Sequence, residues 1–134
     1  MSESAERWLA FAYEDLQVAE MVLKAGIYTQ ACFHSQQCVE KALKGALAHH
    51  RPDEVLPRIH AIADLIRLLP AEWFANVRAD LIEKMDDYYI PTRYPDALPG
   101  TLPEGLPGQA EAEEAVPLAR AVLEEVKRIM SLPS

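Results

Sequence analysis

Two long runs of helical periodicity meet at a single glycine, and that junction restricts the folds open to this chain more than any other feature. In the first run Trp8, Ala12, Leu16, Ala19 and Leu23 recur three or four residues apart and so share one helix face, up to about Lys24. Gly26 marks its stop, and Ser2 or Ser4 is the expected cap at its start. The second run extends from about Tyr28 to His50 and is closed by Arg51-Pro52-Asp53. Two helices of roughly six turns each, joined by so short a link, have to lie side by side and antiparallel.

The remaining segments continue the helical pattern. After Pro57 a shorter helix is expected to carry Ile59, Ile62, Leu65, Ile66 and Leu69, with Pro70 closing it. A fourth begins near Ala71-Glu72-Trp73-Phe74 and runs through Val77, Leu81, Ile82 and Met85 to the exit Asp86-Asp87-Tyr88-Tyr89. Pro91, Pro95, Pro99, Pro103 and Pro107, with Gly100, Gly105 and Gly108 among them, then rule out both helix and central strand, so a loop is expected at about 90–108. A fifth helix, Gln109 to Met130, has Glu111, Glu113 and Glu114 at its positive end and Lys127 and Arg128 at its negative end. No β alternation or internal repeat interrupts this series. The expected architecture is all-α, an up-and-down antiparallel helical bundle of about five helices forming a single domain over residues 1–134.

Composition narrows the function classes. Half of the 134 residues are hydrophobic, enough for a core without staples. No basic stretch leads into an apolar run at the N-terminus, and no membrane-length apolar segment follows, so a soluble cytoplasmic protein is expected, with no membrane partner. Cys32 and Cys38 lie roughly 9 Å apart along a helix axis and face different ways, which argues against an internal disulfide. The net charge of −8 opposes a broad grip on phosphate backbones, so any contact with RNA or nucleotide requires a local cationic pocket. Trp8, Phe11, Tyr13, Trp73 and Phe74 near helix ends expose more apolar surface than a monomer tolerates, and a homodimer is expected.

Chemistry concentrates in two places. On the second helix Gln30, His34, Gln37, Lys41 and Lys44 recur at helical spacing opposite Val39, Ala42, Leu43 and Ala46. Glu40 and Lys44 form an i,i+4 pair, and Gln37 has the same spacing to Lys41. Such a face is either a solvated side or the border of a groove in which Gln37, Glu40, Lys41 and Lys44 bind an anion. His34 and Cys38 are one turn apart, but two ligands do not make a metal site; His60 reads as a capping or packing residue, and neither metal nor cofactor is expected. The other place is Arg93-Tyr94-Pro95-Asp96, where a proline-stiffened backbone suits a guanidinium contact to phosphate. Tyr88, Tyr89 and Tyr94 either stack a base or plug the bundle end, while Asp86, Asp87 and Asp96 either hold Arg93 or solvate the exit. No phosphate-binding glycine loop, Ser-His-Asp order or zinc spacing occurs.

These strings together resemble the HEPN domain family, the higher eukaryotes and prokaryotes nucleotide-binding domain. The resemblance lies in Trp8-Leu9-Ala10-Phe11-Ala12-Tyr13-Glu14-Asp15-Leu16, in Ala31 through Lys44 with its core Gln36-Gln37-Cys38-Val39-Glu40-Lys41, in His60 with Leu65, and in Arg93-Tyr94-Pro95-Asp96. It implies a helical bundle, commonly homodimeric, found beside small nucleotidyltransferases in toxin and antitoxin pairs, many members being metal-independent RNases. Those RNases place a histidine a few residues after the arginine. Here no histidine follows His60, so the pattern is incomplete. Metal-free RNA cleavage needs a proton acceptor and a proton donor, roles that Arg93 cannot fill alone. The resulting reading is a nucleotide- or RNA-binding partner of a nucleotidyltransferase, with Gln37, Glu40, Lys41, Lys44, Arg93, Tyr94 and Asp96 as ligand-binding residues. Arg93 is the one catalytic candidate and His34 an auxiliary. The alternatives are an RNase toxin, with Arg93 stabilising charge, and a non-catalytic interaction module.

Overall fold

The computed structural model describes residues 3–55, 58–75, 77–88 and 106–132. Five α-helices are present among them: α1 (Glu3–Lys24), α2 (Tyr28–His50), α3 (Ile62–Arg67), α4 (Ala79–Lys84) and α5 (Gln109–Met130). Two 3₁₀ turns, Ala71–Phe74 and Met85–Tyr88, flank α4, and no strand occurs among the described residues.

Gly26 reverses the chain as its position requires. Its φ of +77° is a left-handed conformation that costs glycine nothing. The Gly26 N–H donates to the Leu23 carbonyl at 3.0 Å and the Ile27 N–H to Val22 at 2.8 Å, which satisfies two of the last carbonyls of α1. At the other end α1 already starts at Glu3, so Ser4 lies inside the helix and does not cap it; Ser2 lies outside the described residues. Glu3 and Glu6 place negative charge in the first turn, where the helix dipole favours it.

α2 is the centre of the bundle. Of its 23 residues, 14 are buried, so it has no broad solvent face and its polar side chains must find partners within the protein. Small residues let α1 approach it closely: Ala5, Ala12 and Ala19 on α1, with Ala42, Gly45 and Ala46 on α2, are all buried. The Cys38 thiol donates to the Ala119 carbonyl at 3.9 Å, and the Thr29 hydroxyl to the Pro107 carbonyl at 3.5 Å, so α5 runs parallel to α2. Arg120 on α5 grips Glu20 on α1 at 2.6 to 2.9 Å and Lys127 stands 5.1 Å from the centroid of the Tyr13 ring, so these two helices are antiparallel. The chain between α2 and α5 must therefore travel back the length of α2, roughly 35 Å. α3, α4 and the 3₁₀ turns lie on that return.

The return path is less helical than its periodicity predicts. α3 begins only at Ile62, leaving Ile59 outside it, and ends at Arg67, before Leu69 and Pro70. The expected fourth helix is broken: Ala71–Phe74 forms a 3₁₀ turn after Pro70, Arg78 is extended, and α4 spans only Ala79–Lys84. Helices this short do not hold themselves together and depend on tertiary packing, here of Ile62, Leu65, Ile82 and Met85 against the core. Asp86 supplies a second restraint. Its carboxylate accepts the N–H groups of Ile62 at 2.8 Å and Ala63 at 3.2 Å, capping α3 from across the fold. Burial raises the Asp86 pKa despite those two bonds. Of the aromatic residues expected near the surface, Phe11 and Tyr13 are exposed, Trp8 and Trp73 are half-buried, and Phe74 is in the core.

Gly45 is the tightest point between α1 and α2. A Cβ there would lie 3.1 Å from Leu9 Cδ2, 3.2 Å from Trp8 Cβ and 3.3 Å from the Ala5 carbonyl oxygen. At an open helical site Gly→Ala stabilises by about 1 kcal/mol. At Gly45 the overpacking outweighs that gain, and Gly45→Ala is expected to destabilise by about 1 kcal/mol. Chemical denaturation measures it; a more stable variant would show that α1 and α2 are not in close contact here.

Candidate functional site

The polar side chains of α2 form a polar network in two halves, one with α1 and one with the segment preceding α3. Its first half is centred on Asp15, a buried carboxylate on the Ala12-Leu16-Ala19 face of α1. One Asp15 oxygen lies 2.9 Å from His34 Nδ1, and the other accepts from Lys41 Nζ at 2.6 Å. Burial by itself would raise the pKa of Asp15, but the hydrogen bonds and charges of His34 and Lys41 outweigh it, so the carboxyl sits below its usual value. Asp15 is therefore ionised at neutral pH and acts only as an acceptor.

The second half is centred on Glu40, whose side chain is only 8% exposed. Glu40 Oε2 accepts from Lys44 Nζ at 2.8 Å, and Oε1 accepts from Gln36 Nε2 at 3.2 Å. His60 Nδ1 lies 3.3 Å from Glu40 Oε2 and 3.1 Å from Lys44 Nζ. The Lys44 ammonium also stands 5.3 Å from the centroid of the Trp8 ring, a cation–π contact that helps it leave water. Gln37 extends this second half by donating to the Gln36 side-chain carbonyl at 2.7 Å.

Glu40 and Lys44 do form their i,i+4 pair, and both are buried, so at these two positions the α2 face is not solvated, whereas His34, Gln37 and Lys41 are half-buried. Gln37 bonds Gln36 and not Lys41, and Gln30 is exposed apart from the network. Each lysine has a carboxylate of its own, Lys41 with Asp15 and Lys44 with Glu40. His60 neither caps α3 nor packs in the core: its side chain is 71% exposed and reaches back to Glu40. His34 and Cys38 diverge, the imidazole toward Asp15 on α1 and the thiol toward Ala119 on α5. Cys32 and Cys38 are both free, and burial pushes each thiol up to about 12. Among the described residues no group of three or more His, Cys, Asp or Glu is arranged to hold a metal. Asp86 is occupied with the backbone of α3, and Asp87 is exposed. Arg93, Tyr94 and Asp96, with Tyr89 and most of the expected loop at about 90–108, lie outside the described residues.

Asp15, Gln36 and Trp8 are network members that sequence reasoning did not assign to the site. Asp15 carried a usable signal: three residues after Ala12 and four before Ala19, it puts a carboxylate on an apolar helix face, where a charge persists only if paired. Gln36 carried a local signal, its i,i+4 spacing to Glu40, whereas Trp8 carried none, because its contact with Lys44 depends on how α1 and α2 register.

Fold and network together define a class, a helical bundle whose first two long helices enclose a string of paired ionic side chains. The comparisons name it. The HEPN domain model matches residues 5–129, and the chain belongs to the HEPN family. A curated protein of Methanocaldococcus jannaschii, named "Putative toxin MJ1304", is 32% identical over 133 residues, covering 92% of this chain and 86% of its own. The crystal structure of TT1696 from Thermus thermophilus is similar at 39% identity with a TM-score of 0.73, covering 95% of this chain and 98% of that one. ST0689, described as an archaeal HEPN homologue, is 32% identical with a TM-score of 0.72, covering 97% and 100% of the two chains. Among the described residues no helix is long and apolar enough to cross a membrane.

Glu40 is the member whose removal tests the network's energetics. In Glu40→Ala the Lys44 ammonium loses its counter-charge while its side chain remains only 10% exposed. The expected loss is about 3 kcal/mol of unfolding free energy. A joint Glu40→Leu and Lys44→Met change, which removes both charges, should recover most of it. A loss below about 1 kcal/mol in Glu40→Ala would mean that the pair is solvated after all.

Proposed function

We propose that this HEPN chain binds a nucleotide or a short RNA segment and serves as the helical half of a toxin–antitoxin-like pair whose other half is a nucleotidyltransferase. The observation that carries the binding half is the Asp15–His34–Lys41 cluster. Helix packing would ordinarily fill such a position with apolar side chains, and a partly desolvated ionic cluster is costly there. The name of the Methanocaldococcus jannaschii relative supports the toxin-like half. Because Asp15 and Glu40 already neutralise Lys41 and Lys44, these lysines shape the border of the site and do not present bare charge. In this reading Arg93 supplies the charge for phosphate, Asp96 orients it, and Tyr94 offers a stacking face. Gln37, Glu40, Lys41 and Lys44 form the polar border, with His34 as an auxiliary.

Metal-independent RNA cleavage is a second reading, favoured by one observation: the 2.9 Å contact to Asp15 orients an imidazole that does not come from downstream of Arg93. Binding ranks ahead of it, because one imidazole would have to serve both proton transfers. Calorimetric titration with mononucleotides and short RNAs tests the binding reading. Charged contacts are each worth roughly 1.5 to 3 kcal/mol, so Arg93→Ala should weaken binding about tenfold or more and leave unfolding unchanged. An absence of heat or competition at millimolar ligand would leave the interaction-module reading in its place.

The same reading includes a homodimer. Phe11, Val18 and Met21 are 52%, 37% and 70% exposed, and their spacing of seven and three residues makes one apolar stripe along α1. A stripe of that kind suits a two-fold contact between copies. Light scattering is expected to give twice the 15.0 kDa chain mass, and Met21→Glu to halve it. A monomer at micromolar concentration would refute the dimer.

A further inference from the structure

The two halves of the polar network meet solvent differently. Lys41 and His34 have side chains 29% and 26% exposed, whereas those of Lys44 and Glu40 are 10% and 8% exposed. The second pair is covered from two directions. From α1 the Trp8 ring stands 5.3 Å from the Lys44 ammonium, on a 22-residue helix that cannot move without disrupting the hairpin. From the return path comes His60, whose Nδ1 lies 3.1 Å from Lys44 Nζ and 3.3 Å from Glu40 Oε2. His60 belongs to a stretch, 58–61, with no regular secondary structure and no buried residue: Arg58 and His60 are exposed, and Ile59 and Ala61 are half-buried. Ile59 is its one large apolar contact with the core. A segment with so little buried apolar surface opens locally at a fraction of the cost of global unfolding.

The far end of the stretch is anchored by backbone. It runs straight into Ile62 and Ala63, whose N–H groups donate to the Asp86 carboxylate at 2.8 and 3.2 Å. Burial holds the Asp86 carboxyl above its usual value, and the negative charges of Glu40 and Asp87 act in the same direction. The carboxylates at the two ends of the stretch therefore repel one another, and each is held by contacts to the stretch or to the first residues of α3. We propose that residues 58–61 form a hinged strap, latched by His60 on the Glu40–Lys44 pair and hinged at the α3 cap made by Asp86, whose opening exposes that pair while α1 and α2 stay packed. The network then has one open half and one gated half. A molecule in solution reaches Asp15, His34 and Lys41 directly, but Glu40 and Lys44 only when the strap lifts. The strap is a property of the free protein and does not depend on the binding reading above.

The amine of Lys44 reports on the opening, because it is acetylated only when exposed. Acetylation of the full chain by an N-hydroxysuccinimide ester, followed peptide by peptide in native buffer, should be slower at Lys44 than at Lys41. Asp86→Ala removes the cap at the hinge and leaves the pair itself intact. It should speed the reaction at Lys44 about fivefold, the weight of one helix cap in an equilibrium constant, and leave Lys41 unchanged. His60→Ala, which removes the latch, should have the same pattern. The wild type supplies a readout that needs no variant to fold. In urea well below the unfolding midpoint the Lys44 rate should stay nearly constant, since a local opening exposes little surface, whereas reaction through global unfolding rises steeply with urea. A Lys44 rate that climbs with urea from the outset, a rate unchanged in Asp86→Ala, or an equal increase at Lys41 and Lys44 in that variant would each overturn the strap. None of these outcomes bears on whether a nucleotide binds.

Discussion

The carboxylate of Asp15 is the point on which the α1–α2 pair and its site both depend. It stands on an apolar helix face, among Ala12, Leu16 and Ala19, where an unpaired charge would be costly. What makes it tolerable is α2, which presents His34 and Lys41 two turns apart, one to each carboxylate oxygen. The pairing holds only in one register of the two helices. A slide of one turn would separate the carboxylate from a cation and strand both. Apolar packing alone does not discriminate in this way, because alanines at 5, 12 and 19 would accept several registers with small losses. The link at Gly26 limits the register by chain length, Gly45 by close approach, and Asp15 by charge.

Glu40 plays the corresponding part farther along α2. It connects the hairpin to the return path, because His60 on the segment before α3 reaches the same carboxylate oxygen as Lys44. Asp86, from the far side of α4, binds the backbone of α3 and so ties the return path to itself. The short elements are thus held to one another by Asp86 and to the long helices by Glu40, as well as by the packing of Ile62, Leu65 and Met85. This explains how a stretch with six-residue helices belongs to a bundle whose other helices have 22 or 23 residues.

The long helices were legible in the sequence because their signals are local. Gly26 is the one residue there that takes a positive φ without strain, and the ends of α2 and α5 fall where Arg51-Pro52 and Gly108 interrupt the pattern. α5 even continues through Pro117, since Ala112, Ala115, Ala119, Val122 and Val126 keep one buried stripe on both sides of it. The return path was less legible. Val77, Leu81 and Ile82 have helical spacing, yet the backbone is extended at Arg78, and no local signal marks that break. Of the site, the residue types on α2 could be read directly, but their states could not. Whether Lys41 is a free cation or a paired one depends on Asp15, 26 positions away, and pairing at that distance is a product of the fold.

Pairing also changes what kind of recognition the site can perform. The two carboxylates and two ammonium groups of the network cancel, so its fixed charge is zero within a chain of net charge −8. Long-range attraction therefore does not bring a phosphate to it. In this reading Arg93 contributes attraction at contact, and discrimination rests on groups whose hydrogen-bonding direction is set in advance. A paired network is suited to that task because each member holds the next: Lys41 and His34 fix Asp15, and Asp15 in turn fixes the imidazole.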